Sequence, residues 1–493
     1  MKRLSGLDAS FLYMETPTSP MHVAGLYVYD PAGTPGGYSF ERVEQVVRER
    51  LHLLPPYRQR VVEVPFQLYH PLWIEDPDFD LHYHLRRIAL PAPGGKAELA
   101  EVSADIMSRP LDRNRPLWEM WLVEGLEGGL VACISKTHHA AIDGASGVDL
   151  TVGLLDLEAD APPPPPPEQE WKPDRIPTDL ELVSYAGRSL ARSPISAAKA
   201  TRRTVEAAVT LRRRNRQPDV EAPPAPFSAP RTSLNGALTP RRSFGMAEVS
   251  LDDVKGIRKG LGGTVNDVVL AICAGALRAY LAERDEHPDR PLVAMCPISV
   301  RTSEQSGSLG NQVSQMLVSL ATDVDDPVER LKVIQEGTKQ AKEQAGAIGA
   351  DTLTDWIEFA APAVAARAAR LYSRTQSSSR FRPIFNVTIS NVPGPQVPLY
   401  MAGSKLVAWY PMGPLADGQG LNMTVMSYLG VIYFGLVACP DCVPDVHRLA
   451  HDVDDAVEEL KKAAAPPTRA PAKPPARKRK APAAAKKAAR STG

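Results

Sequence analysis

Apolar residues along the first 160 positions alternate between short extended runs and segments of helical periodicity. Ala24–Tyr29, Leu117–Val123 and Leu130–Ser135 have the length and apolar character of strands, while Glu41–His52 and Lys96–Met107 repeat their apolar positions as one face of a helix does. The same mixture returns after residue 240. Ser243–Ser250, Leu292–Val300, Ile384–Ser390, Leu406–Trp409 and Met423–Val437 are predicted as strands, an apolar helix runs from Thr264 to Leu281, and Val443–Lys462 is predicted as a closing helix. Strands and helices intermixed in both halves imply an α/β architecture. Between the halves, Pro162–Pro167 is an uninterrupted proline run that must be extended and marks a boundary. Asp179–Arg216 follows as a predicted helix rich in Ala and Arg, broken or kinked at Pro194. Beyond Lys462 the chain alternates Ala, Pro, Lys and Arg, cannot bury enough apolar surface to fold, and is expected to be disordered. Four regions result: 1–160, 161–240, 241–462 and 463–493.

Charge sharpens this division. The 493 residues carry 57 basic and 57 acidic side chains, yet eleven of the basic ones and no acid fall from Lys461 onward, so the body is acidic and the tail strongly basic. A basic amphipathic helix at Asp179–Arg216 could lie on an anionic membrane surface, or it could be a solvated connector. The tail could hold anionic lipid or nucleic acid, or act only to solubilise; no specific nucleic-acid partner is expected. Five cysteines in so long a chain do not read as a disulfide framework, which points to a reducing, cytoplasmic compartment. The chain opens without the apolar core of a signal peptide. Gly418–Pro440 is uncharged and long enough to span a bilayer, but its glycines and its β-branched and aromatic residues favour strands with a turn near Gly430.

The candidate chemistry is concentrated in His138-His139-Ala140-Ala141-Ile142-Asp143-Gly144. The apolar run before it places the two histidines where a strand leaves its sheet. Neighbouring side chains on extended backbone point to opposite sides, so one histidine should face a cavity and the other should pack. An imidazole titrates near neutrality and can take a proton from an alcohol or thiol, and a nearby aspartate can fix its tautomer or brace the loop. Gly144 permits a sharp turn after the carboxylate. A weaker candidate is Cys439-Pro440-Asp441-Cys442 with His447 and His451, whose spacing could offer four zinc ligands or could simply be a strand-to-helix turn with solvated histidines. No nucleophile elbow, Walker loop or dinucleotide fingerprint is present, so those enzyme classes lose their usual support.

His138 to Gly144 matches the HHxxxDG motif of the CoA-dependent acyltransferase superfamily. Pro116-Leu117-Trp118-Glu119, Asn266-Asp267-Val268-Val269-Leu270-Ala271 and Ser390-Asn391-Val392-Pro393-Gly394-Pro395, in that order, narrow the resemblance to the bacterial wax ester synthase/diacylglycerol acyltransferase family. The opening from Leu4 to Asp8 and from Pro20 to Val23 resembles that family's N-terminus, and the likeness spans roughly residues 4 to 460. Each landmark also has a plain structural reading. Pro116, Leu117 and Trp118 could pack beneath the histidine strand. Thr264 and Asp267 sit at the spacing of a helix cap, so Asn266 and Asp267 could start the helix, lie near the active site, or both. Asn391, Pro393 and Gly394 must form a rigid loop, which could shape a binding channel or serve as a connector.

The resemblance implies a two-lobed fold like that of chloramphenicol acetyltransferase, with mixed sheets and helices and a channel between the lobes. It implies an acyl-CoA-dependent O-acyltransferase that esterifies a lipid alcohol, diacylglycerol to triacylglycerol foremost and long-chain alcohol to wax ester as the related activity. His139, matching the motif's second histidine, would be the general base; His138 would face away; Asp143 would brace the loop or orient His139. Acyl-CoA enters as substrate, and no cofactor or metal is expected. Two alternatives stand beside this reading: a condensation-type catalyst acting on carrier-bound acyl groups, and a non-catalytic lipid-surface protein with the same fold. The expected location is cytoplasmic, held peripherally at the inner membrane face or on lipid droplets.

Overall fold

The computed structural model describes residues 2–142, 144–191, 224–225, 227–299, 313–348, 367, 371 and 382–465. The first half runs β1 (Lys2–Arg3), α1 (Gly6–Met14), β2 (His22–Asp30), α2 (Phe40–Arg50), β3 (Gln59–Val62), β4 (Leu72–Glu75), α3 (Leu81–His84), β5 (Leu85–Ala89), α4 (Lys96–Ser108), β6 (Trp118–Glu124), β7 (Val131–His138) and α5 (Gly144–Leu154). The second runs β8 (Ser243–Ser250), α6 (Leu251–Leu261), α7 (Val265–Ala282), β9 (Val293–Ser299), β10 (Val313–Ser319), α8 (Pro327–Ile348), β11 (Val387–Val392), β12 (Tyr400–Met401), β13 (Ser404–Met412), β14 (Leu421–Tyr428), β15 (Val431–Ala438) and α9 (Val446–Ala464). The strands foreseen from apolar runs are present, most of them longer at one or both ends than their apolar residues alone indicate.

Two six-stranded mixed sheets organise the two lobes. One has the order β12-β13-β2-β7-β6-β5 and the other β10-β9-β11-β14-β15-β8; a small sheet, β1-β4-β3, flanks the first. Tyr400–Met412 lies within the 241–462 stretch, yet it crosses to the first lobe, where β13 pairs antiparallel with β2 from Lys405 opposite Asp30 to Met412 opposite Ala24. Pattern alone could not place this crossover, because a strand's partner depends on non-local pairing. The crossing strand also ties the sheets together. The Tyr433 hydroxyl donates to the Val407 carbonyl at 3.0 Å, and Tyr428 donates to that of Leu406 at 3.3 Å. Where β13 passes over β15, a Cβ on Gly435 would lie 1.7 Å from the Pro411 oxygen, so only glycine allows that approach.

The uncharged stretch 418–440 folds as the β14–β15 hairpin, turning at Leu429 and Gly430, both with positive φ. α7 is long and apolar enough to cross a membrane, but 72% of its most apolar window is buried, and it serves as the central helix of the second lobe. The capping expected at its start is present: the Thr264 hydroxyl accepts from the Asp267 amide, and the Asp267 carboxylate accepts from the Thr264 amide at 2.8 Å. Of the basic helix expected over 179–216, residues 179–191 are helical and the remainder lies outside the described residues, as does the tail from residue 466.

Candidate active site

β7 delivers the histidine pair. It lies between β2 and β6, with His138 opposite His22 and Thr137 opposite Trp118. His138 is the last residue of the strand and His139 the first beyond it. Their backbones are pinned from both sides: the His138 amide donates to the Leu117 carbonyl at 2.9 Å and the His139 amide to that of Met21 at 2.8 Å. The alternation expected of an extended chain is seen in burial, with His138 fully buried and His139 partly exposed. The exposed member is the one that can meet a substrate.

α1 shapes the space around His139. Ser5 caps this helix by accepting from the Asp8 amide at 3.0 Å, and its C-terminal turn places Phe11 flat against the His139 ring, with centroids 4.0 Å apart and planes 8° from parallel. Such stacking fixes a ring's orientation and contributes about 0.5–1.5 kcal/mol beyond burial. Glu15, which ends the helix, faces His138: one carboxylate oxygen lies 3.6 Å from His138 Nε2, and the other accepts from Arg113 at 2.8 and 2.5 Å. Burial alone would raise the Glu15 carboxyl, but His138 and Arg113 outweigh it and hold the group at about 2. His138 is lowered by burial, which the Glu15 carboxylate only partly offsets, so the ring is neutral near pH 7. His138 Nδ1 accepts the Ala140 amide at 3.0 Å, which places the ring proton on Nε2, toward Glu15.

The other landmarks fall into two groups. Leu117 is buried against Leu4, Ala9 and Leu12, and Pro116 is buried beside it. Trp118 stacks between Tyr57 and His84 and donates its indole N–H to the Tyr57 carbonyl at 2.9 Å. These three residues therefore have packing roles beside the histidine strand, on β6 and at its entrance, rather than beneath it. In the second lobe, Asn391 on β11 donates to Asn266 Oδ1 in the first turn of α7 at 3.3 Å, joining two landmarks 125 residues apart. Asp267 is buried and fully engaged, accepting from Thr264 and from the Thr338 hydroxyl at 2.7 Å, so its role is to cap and anchor α7. The loop after Asn391 brings Gly394 so close to β14 that a Cβ would lie 2.3 Å from the Ser427 oxygen, while Pro393 is exposed. Asp143 lies outside the described residues; Gly144 begins α5.

Sequence reasoning passed over Phe11, Glu15 and Arg113. The signal that could have found α1 is Ser5-Gly6-Leu7-Asp8, a capping pattern ahead of an apolar run. At the Cys439–His451 stretch the two thiols are buried and the two histidines exposed. Among the described residues, no three His, Cys, Asp or Glu side chains stand together as a metal site. A cleft of about 520 Å³ opens between α4 and the start of β8, lined in part by Glu101, Ser108, Arg242 and His447; none of the landmark residues lines it.

The wax ester synthase/diacylglycerol acyltransferase catalytic domain matches residues 4–269, and the C-terminal domain of the same family matches residues 309–461. The chain belongs to the wax ester synthase/diacylglycerol acyltransferase family. It is an acyl-CoA-dependent acyltransferase, whose substrates are acyl-CoA and an acyl acceptor. A Mycobacterium tuberculosis protein named "Putative diacylglycerol O-acyltransferase" is 39% identical over 462 residues, covering 93% of this chain and 90% of the relative. The solved wax ester synthase/diacylglycerol acyltransferase of Marinobacter aquaeolei VT8 is 31% identical with a TM-score of 0.66, covering 94% of this chain and all of that one. The first condensation domain of the calcium-dependent antibiotic synthetase aligns over 94% of this chain and 98% of its own with a TM-score of 0.57 at 13% identity, a likeness of fold alone. This family member thus has the two-lobed architecture that its motifs implied.

Proposed function

We propose that this acyltransferase esterifies a lipid alcohol, diacylglycerol foremost and long-chain alcohols second, with His139 as general base. The observation that carries the reading is the asymmetry of the histidine pair: His138 is sealed and neutral, whereas His139 stands at the strand end, partly exposed and held flat by Phe11. An alcohol is a poor nucleophile until its proton is removed during attack. His139 takes that proton as the alcohol oxygen adds to the thioester carbonyl. The carbon–sulfur bond then breaks, the ester forms, and the proton passes from His139 to the departing CoA thiolate. A thioester is acylating without metal or cofactor, so one base in a ternary complex suffices. In this reading Asp143 would brace the loop after the histidines or orient His139, and Asn266 and Asn391, joined by a hydrogen bond of 3.3 Å, would shape the substrate channel from the second lobe.

Such an enzyme must meet a water-insoluble acceptor, and peripheral attachment at the cytoplasmic membrane face or a lipid droplet would provide the meeting place. The helix over 179–191 supports this reading. It buries Leu182 and Ala186, Leu182 packing against Val62, Leu72 and Ile74 of the small sheet, while Leu180, 80% exposed, Val183 and Leu190 face outward. Purified protein given labelled acyl-CoA with diacylglycerol or a long-chain alcohol should place label in triacylglycerol, and more slowly in wax ester, with one CoA thiol released per ester. Transfer from a carrier protein but not from acyl-CoA would favour the condensation reading. No transfer from either donor would favour the non-catalytic one.

A further inference from the structure

We propose that Glu15 is the positioning residue of this active site, acting through His138 and Met21 to fix the turn that presents His139. The proposal rests on the reading of His139 as the base, and it gives a job to a buried carboxylate that the transfer chemistry does not use. Glu15 ends α1 directly after the turn that supplies Phe11; its own amide donates to the Phe11 carbonyl at 3.1 Å. Its two carboxylate oxygens have separate tasks. Oε2 is claimed by the Arg113 fork, Nε and a terminal nitrogen together, and the same guanidinium donates to the Leu12 carbonyl at 2.7 Å. Oε1 lies 3.6 Å from His138 Nε2 and accepts the Met21 amide at 3.5 Å.

Both partners of Oε1 lead to His139 within one step. The Met21 carbonyl accepts the His139 amide. A carboxylate facing His138 Nε2 keeps the ring proton there, which leaves the Nδ1 lone pair for the Ala140 amide, the first backbone donor after His139. One carboxylate therefore holds the backbone before and after the base. An orienting group that holds a tautomer can matter greatly while never touching the substrate, since a misplacement of about 1 Å costs about a hundredfold in rate.

Glu15→Gln tests the idea sharply. Arg113 would claim the amide's one oxygen, so the amide NH2 would turn toward His138 and offer a donor where the ring needs an acceptor. The ring would then move its proton to Nδ1, against the Ala140 amide, and release the turn. Two readouts are taken on the full chain: nitrogen NMR of histidine-labelled protein, with the His138 signal assigned by loss in His138→Gln, and steady-state kinetics with a soluble short-chain alcohol. The expected result is loss of the Nε2–H tautomer at His138, with kcat down about tenfold or more and KM for acyl-CoA unchanged. If Glu15→Gln does not fold, Arg113→Gln takes its place with its own expected result: it leaves the carboxylate but removes its anchor, so kcat should fall while the Nε2–H tautomer is kept. A folded variant that keeps both the Nε2–H tautomer and wild-type kcat overturns the proposal. Because the tautomer is read without turnover, a failure of the base assignment at His139 would be seen separately from a failure of this relay.

Discussion

The site is built on histidines that differ by burial more than by sequence. His22, His84 and His138 are all lowered by burial, His84 to about 4, and each makes a hydrogen bond that suits a neutral ring: His22 to the Met107 carbonyl, His84 to that of Trp118, His138 from the Ala140 amide. In the unfolded chain these rings gain protons near 6.5, while the folded chain resists until lower pH. The unfolded state therefore binds more protons in that window, and stability falls as pH drops below about 6.5, for His84 down to about 4. Glu15, held at about 2, adds a further loss as pH falls below its ordinary 4.5. Asp452 works the other way: burial raises it to about 6, so its protonation on acidification partly offsets the loss. Asp454, also raised by burial, acts in the same direction, and three rings against these two carboxyls set the sign. Denaturant melts at pH 7.5 and 5 should show a clearly lower midpoint at pH 5, and equal midpoints would mean that these rings are not held neutral.

Among the elements, those with strong local signals could be read from the sequence. The apolar run ahead of His138 became β7, the Thr264–Asp267 spacing became the cap of α7, and the mixed composition of 418–440 became a hairpin turning at Gly430. The landmarks Trp118 and Asp267 proved to pack and to cap, because a large indole and a capping carboxylate already have structural work at those positions. What stayed hidden was non-local. Nothing in Ser404–Met412 says that it completes the other lobe's sheet, and nothing in Glu15 says that it faces His138, since both facts depend on pairings across more than a hundred residues. α1, nine residues long with little apolar asymmetry, carries weak periodicity and is recognisable mainly by its Ser5 cap. The site thus draws its supporting groups from the element with the faintest pattern.

At the scale of the whole molecule, two sheets joined by a crossing strand give a rigid frame, and the most basic stretches of the sequence lie outside the described residues. Residues 188–216 carry nine Arg and Lys against one acid, and the helix over 179–191 that leads into them turns Leu180, Val183 and Leu190 outward. Each cation near an anionic leaflet contributes about 1 kcal/mol. The chain should bind anionic vesicles and be released as salt rises from about 0.1 to 1 M, where the screening length shrinks from about 10 to 3 Å. Replacing Leu180 and Leu190 with Asp should weaken binding to vesicles, and so should removing the tail. α9 runs to Ala464, and Lys461 on it pairs with Asp253 at 2.9 Å, so the tail is removed after Ala465. Salt-independent binding, or binding untouched by both changes, would place the anchor elsewhere. In the proposed mechanism that frame has one central task, to hold a single base, His139, where acyl-CoA and an alcohol meet. His139→Ala in the full chain tests that task most directly, with turnover and acyl-CoA binding measured side by side. The account predicts turnover reduced at least about a hundredfold with acyl-CoA affinity and melting temperature nearly unchanged; a folded His139→Ala enzyme that turns over at the wild-type rate would contradict it.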